Sequence, residues 1–289
     1  MTTLPKPFMS TLDSLDQDKL AIYDWPLPAD KPVRGTALLV HGLGEHMGRY
    51  AHVAKHLNDW GFRVRGYDHY GHGLSTGIRG GLPSDARMLD DLAKVIAQTR
   101  SIMALGEPLL LIGHSMGGGV VGRFVSLNLA PVDALVMLSP ALDPGLNIVQ
   151  KALLATLPKI APYLRVGNGL NANFICRDQA VVAAYLADPL VHDRISARLA
   201  NVIAVSGAAT IESAPKWTIP TLLMFAGEDK LVNPAGSRAF AKAAPACVKT
   251  QAFEHMFHEI FNAPDQAQVF SVLKTWLDQT INANNQNKH

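Results

Sequence analysis

The chain is 289 residues long, 48% hydrophobic and 17% charged, with 26 basic against 24 acidic side chains for a net charge of +2. That composition supplies apolar surface for a sizeable core, excludes a globally disordered chain, and lacks the basic stripe that nucleic-acid phosphates require. No apolar run follows a basic start at the N-terminus, no apolar stretch reaches the ~18 residues of a membrane span, and Cys176 and Cys247 form no CxxC pair, so we expect a cytoplasmic protein with buried thiols.

Short apolar runs alternate with helical patterns, which predicts an α/β architecture on a mainly parallel sheet. Residues 37–40 read as a strand ending at HGLGEHMG, and a helical segment follows to about Trp60. A strand over 62–67 ends at DHYGHG, and residues 84–104 carry Met88, Leu89, Leu92, Val95 and Ile96 at helical spacing. The run 109–112 is a buried strand that stops at GHSMGG; a helix through Phe124 and Leu127 and a strand over 134–138 follow. From 141 to 214 the rhythm changes. Strand signals fade, and helical apolar stretches are broken by Pro144, Pro158, Pro162 and the turn at Gly167 and Gly169. We read residues 141–214 as a helical cap inserted into a core formed by 1–140 and 215–289. Alternation resumes with a strand over 221–226 and then GEDKLVNP, where Asn233 and Pro234 suit the N-cap and first turn of a helix. A strand over 248–253 leads into EHMFHEIFNAPD. The last helix carries Val269, Val272, Leu273, Trp276 and Leu277 on one face, and the polar tail from Asn282 reads as frayed.

The chemistry-bearing residues lie at the strand ends. Gly113-x-Ser115-x-Gly117, between a strand and a helix, fits a nucleophile elbow: the serine occupies a sharp turn, and small residues on either side let strand and helix approach. A serine hydroxyl needs a base, and the base needs an orienting carboxylate; in this topology the order is serine, acid, histidine. Asp229 follows the 221–226 strand and His258 follows the 248–253 strand. Asp143, after the 134–138 strand, is the rival acid, but it sits at a Pro-Gly break, whereas GEDKLVNP is a compact acid-bearing turn. His255, three residues earlier, is the rival base. The backbone N–H groups of Leu43 and Met116 are the candidate oxyanion donors.

Two other chemistries fit poorly. Gly42, Gly44 and Gly48 space as GxGxxxG, one residue too long for a dinucleotide fingerprint with Asp68 as its acid. His69, His72 and His114 have no carboxylate or cysteine to complete a metal set, so we expect them to bond within turns, and we expect neither metal nor cofactor. In the insertion, Leu146, Ile148, Val149, Leu153, Leu154, Leu157 and Ile160 accompany Lys151 and Lys159. This pattern predicts a cap helix with one face buried on the domain; the alternative reading adds an exposed apolar lip that touches membranes or lipid aggregates. An apolar cap over an ester-cleaving serine suits an acyl chain, since each buried CH₂ contributes roughly 0.8 kcal/mol.

HGLGEHMGRY, DHYGHGLS, GHSMGG, GEDKLV and EHMFHE, with DPLV at 188–191, resemble the monoacylglycerol lipase and lysophospholipase branch of the α/β-hydrolases over about residues 20–280. The resemblance implies an α/β-hydrolase fold with a mainly parallel sheet, flanking helices and a lid built from the insertion. It implies a triad of Ser115, Asp229 and His258, with Leu43 and Met116 as oxyanion donors and no cofactor. The implied reaction is cleavage of monoacylglycerol or another single-chain lipid ester through an acyl-enzyme. The expected partners are that small-molecule lipid ester and, transiently, a membrane surface touched by the cap. Lysophospholipase, general carboxylesterase and non-catalytic binding functions are the alternatives. So is an aminopeptidase, in which Glu212 or Asp178 would have to hold a free amino terminus.

Overall fold

Every residue of the strands Gly35–Val40, Leu109–His114, Ala134–Leu138 and Thr221–Ala226 is buried. Unbroken apolar runs of this kind belong in parallel strands covered by helices on both faces. The computed structural model describes residues 4–286; the side chains of Val149, Lys151 and residues 282–286 lie outside that description, as do residues 287–289 of the tail.

In chain order the elements are β1 (Phe8–Asp13), β2 (Lys19–Trp25), β3 (Gly35–Val40), α1 (Ala51–Asp59), β4 (Phe62–Tyr67), α2 (Arg87–Ser101), β5 (Leu109–His114), α3 (Met116–Ser126) and β6 (Ala134–Leu138). The insertion follows, with α4 (Ile148–Ile160), β7 (Arg165–Gly167), α5 (Gln179–Ala187), β8 (Arg194–Ser196) and α6 (Ala197–Ser213). The chain then closes with β9 (Thr221–Ala226), α7 (Pro234–Ala243), β10 (Val248–Phe253) and α8 (Gln266–Gln286). Eight strands form one sheet in the order β1-β2-β4-β3-β5-β6-β9-β10. The six from β4 to β10 run parallel, and β2 is antiparallel to both its neighbours. Alternate side chains divide the core: Leu39, Leu110 and Ile112 pack with Val53 and Leu57 of α1 and Val269 and Leu273 of α8. On the other face Leu38, Leu109 and Leu111 pack with Leu92 of α2, Phe124 of α3 and Phe240 of α7.

The α/β reading of the sequence agrees with this sheet, and Asn233 caps α7 by accepting from Ala235 N–H at 3.0 Å. Three features differ. The strands β1 and β2 have no counterpart in the sequence reading; β1 is almost wholly exposed, so it carries no apolar alternation. The strands β7 and β8 pair across the insertion, but three residues each is too short for a periodicity signal. Pro158 does not break α4; it lies in its last turn, two residues before the helix stops. Both cysteines are free thiols, Cys176 buried and Cys247 partly so.

The insertion is rooted through α6. A Cβ on Gly122 of α3 would lie 3.0 Å from Thr210 Cγ2 of α6, and one on Gly207 of α6 would lie 2.5 Å from Leu142 O in the loop after β6, so α6 packs closely on both. Helix α4 rests on α6 and leaves Ile148 and Ile160 exposed. Among the described residues no helix is long and apolar enough to cross a membrane. Because the central strands are parallel, the loops leaving β3, β5, β9 and β10 gather at one edge of the sheet, where open α/β sheets bind ligands.

Candidate active site

Ser115 sits between β5 and α3 with φ 54° and ψ −119°, a conformation that L residues rarely adopt. The glycines around it have no room for side chains. A Cβ at Gly113 would lie 2.4 Å from Gly117 O, and one at Gly117 would lie 2.2 Å from Val40 O. The strained turn is held on both sides: Ser115 N–H donates to Leu138 O at 2.9 Å, and Ser115 O accepts from Ala141 N–H at 2.8 Å. Met116 opens α3, so its N–H has no carbonyl one turn behind it. Neither Met116 N–H nor Leu43 N–H donates to another group among the described hydrogen bonds. Both residues line one cavity with Ser115 and His258.

His258 and Asp229 are brought together by the loops after β10 and β9, with Nδ1 and Oδ2 2.6 Å apart and both side chains buried. The other Asp229 oxygen accepts from the N–H groups of Leu231 and Val232 at 2.9 and 3.0 Å. Burial opposes ionisation of Asp229, but the His258 charge and hydrogen bond and the two N–H groups outweigh it and hold the carboxyl below its ordinary value. Burial likewise opposes protonation of His258. The charge and hydrogen bond of Asp229, with Glu259 and Glu45 beyond, prevail and raise its pKa above 6.5. Among the described contacts no hydrogen bond joins Ser115 Oγ to the imidazole; the two meet across the cavity. In unliganded sites such bonds are often long and tighten only with substrate.

The rivals lie elsewhere. The His255 side chain is 92% exposed and approaches only Glu228, at 3.4 Å. Asp143 accepts from Gly145 N–H and from Asn233 Nδ2, which makes it a turn-closing residue. Asp178 caps α5 through Ala180 N–H, and Glu212 is exposed; neither lines a cavity at Ser115.

Sequence reasoning gave no side chain of HGLGEHMGRY a role, yet several there build the support. Glu45 is buried and accepts from Gly42 N–H at 2.7 Å and from Tyr50 OH at 2.8 Å. Arg49 donates to Glu45 at 2.7 Å and makes a two-pronged contact with Glu259, at 2.8 Å on each oxygen. Burial opposes ionisation of Glu45, but its His114 and Arg49 contacts win and hold the carboxyl well below its ordinary value. The one available signal was the E-x-x-x-R spacing, which on a helical turn allows an i,i+4 pair. Beneath them His41 donates to Gly42 O at 2.7 Å and accepts from His69 N–H at 3.0 Å, so it is neutral; burial lowers its pKa.

Two lobes, each of about 320 Å³, meet at Ser115, His258 and Leu43. One is walled by apolar side chains of the insertion, among them Leu146, Leu153, Leu154, Leu157 and Ile203. The other is the more polar of the two, bounded by Glu45, Asn168, Tyr185, Asp188, Asp193 and Glu259 beside apolar residues such as Leu186 and Val191, and among its described lining residues there is no lysine or arginine.

Comparison with known proteins gives a consistent picture. The family described as serine aminopeptidase, S33, matches residues 31–265. A monoacylglycerol lipase of Mycolicibacterium smegmatis is 34% identical over 266 residues, 89% of this chain and 92% of that protein. A phospholipase of Bacillus subtilis is 33% identical over 268 residues, 89% of this chain and 100% of that protein. An uncharacterized abhydrolase domain-containing protein of Dictyostelium discoideum is 32% identical over 96% of this chain, which spans 30% of that protein's length. Among solved structures, the crystal structure of Paleococcus ferrophilus monoacylglycerol lipase superposes with a TM-score of 0.80 at 33% identity, over 89% of this chain and 98% of that one.

Proposed function

The chain belongs to the serine aminopeptidase, S33, family of α/β-hydrolases, and from that premise we propose that it is a serine hydrolase of single-chain lipid esters, with monoacylglycerol as substrate. The observation that carries this reading is the meeting of an apolar and a polar lobe at Ser115. The apolar lobe takes the acyl chain. The polar lobe takes the leaving alcohol, and a lining that offers no lysine or arginine to an anion favours a neutral polyol over an anionic phosphate headgroup.

In this reading His258 Nε2 removes the proton from Ser115 Oγ as the oxygen attacks the ester carbonyl carbon. Asp229 holds Nδ1–H and stabilises the imidazolium. The N–H groups of Leu43 and Met116 bind the oxyanion that forms. As the tetrahedral intermediate collapses, His258 returns the proton to the departing glycerol oxygen, leaving an acyl-serine. Water, activated by the same imidazole, then releases the fatty acid. Residues 141–214 act as the lid over this chemistry, and Ile148 and Ile160, 85% and 81% exposed, suit transient contact with a lipid surface.

A substrate panel tests the reading. Hydrolysis should be faster for 1- and 2-monoacylglycerols than for lysophosphatidylcholine, and slowest for lysophosphatidate, at matched acyl chains. Faster cleavage of lysophosphatidate would overturn the leaving-group assignment. A prolyl amide cleaved faster than any ester would move the protein to peptide chemistry, for which the polar-lobe carboxylates would be the binding groups. Folded protein that no fluorophosphonate labels would remove the serine mechanism altogether.

A further inference from the structure

The insertion is joined to the loop after β3 by more than packing. Asp188, in the DPLV stretch, bonds His46 Nε2 through Oδ2 at 2.8 Å, and its other oxygen accepts from Leu190 N–H at 2.9 Å. His192 N–H donates to Gly44 O at 2.9 Å. Gly44 has φ 77°, and a Cβ there would lie 2.4 Å from His192 O, so the two backbones fit only because residue 44 is glycine. The Arg49 guanidinium lies 4.8 Å above the Tyr185 ring. Three contacts from one short segment thus converge on residues 44–49.

The His46 tautomer connects these contacts to the chemistry. His46 Nδ1 accepts from Gly48 N–H at 3.2 Å, so Nδ1 carries no proton and Nε2–H is the donor to Asp188. Asp188 therefore holds His46 in the one neutral form that can cap the turn over Met47–Tyr50. That turn presents Arg49 and Tyr50 to Glu45, and Glu45 in turn fixes Gly42 N–H, next to Leu43. Without Asp188 the imidazole is free to take its proton on Nδ1, where it no longer accepts from Gly48.

We propose that residues 185–193 clamp the oxyanion loop and that Asp188 is a positioning residue for the Leu43 N–H, acting through His46. The inference rests on the assignment of Leu43 as an oxyanion donor. Asp188 also borders the polar lobe, so the experiment must separate positioning from direct contact with the leaving alcohol.

The experiment compares Asp188→Ala, Asp188→Asn and Asp188→Ser on a monoacylglycerol and on the p-nitrophenyl ester of the same acid, with thermal unfolding recorded for each. Asp188→Ser can still cap Leu190 N–H but falls short of His46, so it isolates the clamp even if Asp188→Ala does not fold. Asp188→Ser should lower kcat by about tenfold or more on both esters with KM within about twofold, since small misplacements of catalytic groups act on the chemical step. Fluorophosphonate labelling of Ser115 should slow in parallel, and Asp188→Asn, which keeps one acceptor oxygen for the two N–H groups of His46 and Leu190, should fall between wild type and Asp188→Ser. A loss confined to the glycerol ester, a rise in KM alone, or an unchanged kcat in Asp188→Ser would overturn the clamp. Wild-type protein reports separately on the parent reading: labelled wild type with an indifferent Asp188→Ser sinks only the clamp, whereas unlabelled wild type sinks both.

Discussion

The end of β5 and the loops after β3 and β10 hold Glu45, His114, His258 and Glu259 buried, each with named hydrogen-bond partners. Helix α4 above them leaves Ile148, Leu153 and Ile160 at 85%, 52% and 81% exposure. The floor is over-determined and the roof is loosely held. Each suits a different demand: a reacting serine needs fixed geometry, whereas entry of an acyl chain needs an element that can move at low cost. The boundary between them does not follow the sequence. Residues 172–193 belong to the insertion, yet Glu259 N–H donates to Ile175 O at 2.7 Å, and Arg177 pairs with Glu228 at 2.6 Å. Ile175, Cys176 and Val182 form a small core with Leu231, beside the acid. In bonding, residues 172–193 are part of the floor.

The sharpest way to break this contrast is at Ser115. Ser115→Ala should lower kcat by on the order of 10⁴-fold or more while leaving the thermal midpoint near that of the wild type. Ester hydrolysis within tenfold of wild type would remove the floor from the chemistry. His258→Ala should cost a comparable factor in kcat, and His255→Ala less than about twofold, because only His258 is buried against Asp229. Exchange of those two results would move the base to the exposed residue.

The pH profile comes next in size. In the proposed mechanism His258 must be neutral to act as base, and its pKa is raised above 6.5, so kcat/KM should fall as pH drops through a value above 6.5, by about tenfold per unit below it. An acid limb near pH 4 would mean that a carboxylate, not this imidazole, governs the rate. Stability draws the same line between floor and roof. Arg49→Met leaves Glu45 and Glu259 buried without their cation, and chemical denaturation should show a loss of about 3 kcal/mol. The smallest expected effect is on the roof: Ile148→Ser with Ile160→Ser should change stability by only about 0.5 kcal/mol. That pair should nonetheless weaken co-sedimentation with phospholipid vesicles, and undiminished binding would transfer the lipid-facing role away from α4.

The legible parts of the molecule share a cause. The strands over 62–67, 134–138 and 221–226 were readable to the residue because burial demands continuous or alternating apolar runs. The strand β1 escaped because its side chains face solvent, and β7 and β8 because they are too short to show a period. At the site, Ser115, Asp229 and His258 stood out by their position at strand ends, and glycine spacing marked the turn. Glu45, Arg49 and Asp188 had no such marker, since a charged residue in a loop usually faces solvent.

By itself the sequence determined the α/β alternation, the glycine-bounded turn at Ser115, and the placing of an acid and a histidine after later strands. All of these depend on local periodicity and backbone sterics, which neighbouring residues carry. Only the tertiary structure decided that His258 rather than His255 turns inward to Asp229. It alone joined Arg49 to Glu259, 210 residues away, and His46 to Asp188, 142 residues away. Those choices depend on which buried charges find partners once the sheet has brought distant loops together. A buried charge must be paired wherever its partner lies in the chain, so local sequence does not reveal the pairing.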